Sequence, residues 1–117
     1  MPEQLFFLLG LSFLTIHELD AIRCKEWRIL PLLSRLDDKM GSALFLLAHI
    51  PLFLWVFVEL TSSTISQSFI KGFDIFMIIH VGLHLLLLRH QRNEFKDALS
   101  WFFIAGAGVF GATDLLT

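Results

Sequence analysis

Leu5-Phe6-Phe7-Leu8-Leu9-Gly10-Leu11-Ser12-Phe13-Leu14 runs without a break into Thr15-Ile16-His17-Glu18-Leu19-Asp20-Ala21-Ile22-Arg23. A helix that crosses the hydrocarbon core of a bilayer needs about 20 residues. The apolar part of this stretch is too short to cross alone. A crossing helix therefore takes in His17, Glu18 and Asp20 before it ends at Arg23. Ionisable side chains in that position are costly, and they mark a functional site by default.

Working outward, the chain holds three more apolar runs, at about 42–60, 69–88 and 98–116 beside the first at 4–22. Hydrophobic residues make up 56% of the 117 residues, against about 45–50% in a soluble domain. The expected fold is all-α: an integral-membrane four-helix bundle forming a single transmembrane domain over 1–117. A formal net charge of −2 offers no basic field to nucleic acid. The single cysteine, Cys24, has no internal disulfide partner. Met1-Pro2-Glu3-Gln4 lacks the Lys or Arg of a signal peptide's positive region, so the first run reads as a retained span preceded by Pro2.

Between the first two spans, Ile29, Leu32, Leu33 and Leu36 recur at three- and four-residue intervals among basic residues. This predicts a short amphipathic helix in the headgroup layer, with Trp27 as its interfacial anchor; the alternative is a loop with scattered apolar residues. Asp37 to Gly41 reads as a turn. Eight of the nine Lys and Arg lie in two connections: Arg23, Lys25, Arg28, Arg35 and Lys39 in one, Arg89, Arg92 and Lys96 in the other. The positive-inside rule then places loops 23–41 and 89–97 in the cytoplasm and both termini outside. In the fourth span, Ala107, Gly108, Gly111 and Ala112 are small residues four apart, a pattern that lets helices approach closely in lipid. They offer a contact for a second copy or a membrane partner. Gly106, Gly108 and Gly111 match a dinucleotide fingerprint by spacing alone, without the strand that motif requires.

Depth follows at about 1.5 Å per helical residue. Measured from Arg23, Lys39 and Arg89, His17 lies about 9 Å deep, His84 about 7–8 Å, His80 about 13–14 Å and His49 about 15 Å. Histidines from three helices therefore share one layer with Glu18, and Asp20 lies nearer the surface. His80 and His84 are four apart on one helix face, a chelating spacing. Neutral imidazole is the commonest metal ligand. His17, His49, His80 and His84 form a candidate ligand set for Zn or non-haem Fe. Glu18 and Asp20 are candidates for general base or for groups that orient the ligands. His17-Glu18 opens like a zincin motif, but Ala21 stands where the second histidine belongs.

Each residue also has a structural explanation. His84 can bond headgroups or water, and His49 can donate to the carbonyl freed by Pro51. Arg23 and Arg28 can pair with Glu18 and Asp20, and Lys71 with Asp74 one turn on.

His17-Glu18-Leu19-Asp20-Ala21, Glu26-Trp27-Arg28, His49 and His80 together resemble a family of small uncharacterised bacterial integral-membrane proteins. These have four spans and a His-Glu-x-Asp segment ending the first. The resemblance implies architecture and a place in the bacterial inner membrane, and no settled activity. Several functions stay open: a membrane metal-site protein, with or without enzymatic activity on an apolar substrate; a haem-binding electron carrier with two axial histidines; and an assembly module without chemistry. A proton-coupled carrier ranks last, because the outer half offers only Asp74 and Glu59.

Overall fold

The computed structural model describes residues 4–117, and Pro2 lies outside the described residues. Four α-helices follow in order: α1 (Leu5–Arg23), α2 (Asp38–Leu60), α3 (Gln67–Leu86) and α4 (Ala98–Leu116). All four are long and apolar enough to cross a membrane, and among the described residues there are no strands. The longest dimension, 43 Å, is close to the thickness of a bilayer with its headgroups, about 40–45 Å.

The starts of the later helices are set by side-chain caps. Asp37, Ser66 and Asp97 each accept a hydrogen bond from a backbone N–H three residues on, which satisfies a donor the first helical turn leaves free. The cap at Asp37 begins α2 inside the stretch expected to be a turn, so residues 38–41 are helical. The helix expected between the first two spans takes the form of two single 3-10 turns, Glu26–Arg28 and Leu33–Arg35. Pro31, which has no N–H to donate, stands between them. Trp27 is buried and not a surface anchor: its ring packs on Phe45, and its Nε1 donates to Asp38 Oδ1 at 3.0 Å.

Three helices make the core. α4 packs against both α1 and α3. The small residues of α4 are used inside the chain. A Cβ on Gly108 would collide with Val81 Cγ2, one on Gly106 with the ring of Phe13, and one on Gly111 would come within 3.0 Å of the Asp74 carbonyl oxygen. Backbones this close are what small residues permit in lipid. α2 stands apart, with 11% of its apolar span buried against 39% of that in α3. Its buried residues are Gly41, Phe45 and Val56.

Asp74 departs from the expected surface pair with Lys71. It is fully buried, and neither carboxylate oxygen has a hydrogen-bond partner among the described residues. It shares its helix face with Ile70 and Met77, which are turned to the core, whereas Lys71 is exposed.

Candidate metal centre

Two buried stripes carry the site. On α1, Phe7, Gly10, Leu14, His17 and Ala21 recur every three or four residues, so they lie on one face. On α3, Phe69, Phe73, Met77, His80 and His84 do the same. Both stripes face the core, and the two helices run parallel: Phe7 meets Phe69, and His17 meets His80. Polar residues on a core-facing stripe are carried inside with their apolar neighbours.

The three imidazoles touch one another edge to face. Ring centroids are 4.6 Å apart for His17 and His80, 4.9 Å for His17 and His84, and 4.6 Å for His80 and His84. Phe95 covers His84 at 4.6 Å and His17 at 5.3 Å. The fourth member is Glu26, which was not anticipated as a site residue. Lys25, with φ 52°, takes the left-handed conformation and turns the chain back under the end of α1. The next turn is pinned to α2 by Trp27 and by Arg28, whose Nε donates to Asp38 Oδ1 at 2.9 Å. Glu26 Oε1 then lies 3.5 Å from His84 Nε2 and 4.0 Å from His17 Nε2. One ligand atom from each of His17, Glu26, His80 and His84 falls within 4.8 Å of all the others.

Electrostatics mark the same spot. Burial by itself pushes the Glu26 carboxyl up, but the contact with His84 and the facing His17 and His80 outweigh it, so it sits below its ordinary value. Both ring nitrogens of His17, and Nδ1 of His80, are buried with no hydrogen-bond partner among the described residues. Each unmet buried group costs about 1–3 kcal/mol. A cation bound between the rings would take the lone pairs of those nitrogens that carry no proton.

The other expected site residues lie elsewhere. His49 faces α1 from α2 and meets Glu18: Nε2 of His49 contacts Oε2 of Glu18. Its Nδ1 lies 2.7 Å from the Phe45 carbonyl oxygen. A carbonyl only accepts, so Nδ1 carries a proton and donates. The Glu18–His49 contact then holds one further proton, on the oxygen or on the nitrogen. The carbonyl used is that of Phe45, not the Leu47 carbonyl that Pro51 leaves free. Asp20 fastens α1 to α4. It accepts from Arg23 Nε at 2.7 Å and from Ser100 Oγ at 2.5 Å, and Arg23 also reaches Asp97 at 3.2 Å. Arg28 is paired with Asp38 and Glu94, not with Glu18. Cys24 is buried beside Ser100 and Asp20, and burial pushes its thiol up.

The chain belongs to the family of unknown function DUF6713, whose model matches residues 3–117. No curated protein and no solved structure matches it.

Proposed function

We propose that this membrane protein binds one divalent transition-metal ion, zinc or iron(II), between α1, α3 and the 3-10 turn that follows α1, with His17, His80, His84 and Glu26 as ligands. The observation that carries the reading is His17: it is fully buried at the centre of the group, with both ring nitrogens unpartnered. Three imidazole nitrogens and a carboxylate oxygen suit these ions. With metal–ligand bonds of about 2.0–2.1 Å, tetrahedral donors stand about 3.3 Å apart. Donor atoms now as much as 4.8 Å apart would close by about 1.5 Å at most on binding the ion.

The mutual contact of the rings favours a bare ion over haem, since imidazoles packed edge to face leave no gap for a macrocycle. Four protein donors complete a tetrahedral zinc shell. The reading is therefore of a retained, closed site, in which Glu26 holds the position that a hydrolytic zinc would keep for water. Asp20 is engaged with Arg23 and Ser100, so its role here is to join helices. Eight Lys and Arg in connections 23–41 and 89–97 support placing the metal in the cytoplasmic half of the membrane, with the termini outside.

Calorimetric titration of chelator-stripped protein with Zn²⁺ and Fe²⁺ tests this reading. One equivalent should bind to the wild type and to His49→Ala, and none to the doubly substituted His80→Ala, His84→Ala protein. Equal binding by all three would refute it.

A further inference from the structure

Between α1, α2 and α3 lies a cavity of about 460 Å³, within the range of about 300–1,000 Å³ in which proteins hold small molecules. It exists because α2 stands off from the core. It runs along the helices from Glu18 and Phe53 at one end to Leu60 and Ser68 at the other. The lining segment of α2, Leu52 to Leu60, spans about 12 Å at 1.5 Å per residue.

The walls are nearly all apolar, with Trp55, Phe69, Phe73 and Phe76 among them. Phe53, Trp55 and Phe76 are 37–48% exposed, and they stand on membrane-length helices, so the open side of the cavity meets lipid. The polar exceptions are Thr15, Glu18 and Ser68. Thr15 Oγ1 already donates to the Leu11 carbonyl, and Ser68 is exposed at the far end. Glu18 is different. It is largely buried, it is tied to His49 through Oε2, and no hydrogen bond reaches its Oε1 from the described residues. An apolar groove with a hydrogen-bond acceptor at one end has the shape and polarity of a binding site for a single-chain amphiphile.

We propose that this cavity binds a single-chain lipid whose polar end donates a hydrogen bond, a long-chain alcohol. The tail lies along Phe53, Val56 and Phe73, and the hydroxyl donates to the free oxygen of Glu18. An anionic head carries no proton to donate to that oxygen. The site is separate from the metal ligands and does not rest on the metal reading; Phe76, whose ring packs on His80 at 5.6 Å, stands between the two.

Gly72 supplies the test. It lines the cavity, and a Cβ added there meets nothing within 4 Å, so a larger side chain fills the space without displacing the bundle. The purified full chain in detergent is labelled with a long-chain alcohol bearing a diazirine on its tail, with its methyl ether and the matching fatty acid as comparisons. Labelling by the alcohol should saturate and map to peptides holding Phe53, Val56 and Phe73. Gly72→Phe should abolish the saturable part, and Gly72→Leu should reduce it, with helicity and metal content unchanged. Glu18→Leu should lower the preference for alcohol over methyl ether by about tenfold, the effect of losing one hydrogen bond. Labelling that does not saturate, is equal in wild type and both Gly72 variants, and spreads to outward residues such as Leu44 and Val109 would overturn the proposal in favour of ordinary lipid contact. A preference for the fatty acid would overturn the assigned head group.

Discussion

Glu26 Oε1 lies 4.0 Å from His17 Nε2, although the helix that carries His17 ends at Arg23 and the chain must reverse to bring the two together. The reversal is made at Lys25, in the left-handed conformation that only glycine adopts without penalty. That penalty is about 1–2 kcal/mol for an ordinary residue. Lys25→Gly should therefore leave the protein as stable as the wild type or more so. Lys25→Val, β-branched and least tolerant of positive φ, should lower the melting temperature and weaken metal binding together by displacing Glu26. Thermal unfolding followed by circular dichroism, with and without added Zn²⁺, separates these outcomes. A harmless Lys25→Val would show that the turn does not position the site.

The contact between Gly108 and Val81 should be as restrictive as it looks. Gly108→Ala places a methyl group against Val81 Cγ2, and overpacking of this kind costs about 1–3 kcal/mol. Val81→Ala removes the colliding atom and should restore most of the loss in the double variant. Two losses that simply add would show that the helices do not meet there.

Acid should loosen the junction of α1 and α4. The Ser100 backbone N–H and Arg23 together hold the Asp97 carboxyl below its ordinary value. A carboxyl lowered in the folded protein stabilises it above the unfolded value of about 3.9. That stabilisation is lost as pH falls through the lower folded value. Asp97→Asn should flatten this part of the stability profile below about pH 4 while keeping a capping oxygen. The check is melting temperature against pH for both proteins; parallel profiles would remove Asp97 from the account.

Much of the fold is legible in the residues. The four apolar runs give the four helices within a few residues, and the largest difference, at the start of α2, comes from the cap at Asp37. Three of the four expected histidines meet, because residue spacing reports which side chains share a face and depth reports their level. Neither reports the rotation of one helix against another. His49, at a similar depth, points to Glu18 for that reason. Glu26 was hidden by the left-handed turn at Lys25, which no pattern announces in a residue other than glycine or asparagine. The one available signal was an acidic residue just beyond the end of α1, beside a tryptophan that anchors the following turn.

The most direct measurement is the elemental content of the full chain purified without a polyhistidine tag, beside His17→Ala, Glu26→Ala and His49→Ala prepared in the same way. Zinc or iron should be present at about one atom per chain in the wild type and in His49→Ala. It should be close to zero in His17→Ala and reduced in Glu26→Ala. Metal absent from the wild type even after growth with added zinc and iron, or retained in full by His17→Ala, would contradict the account.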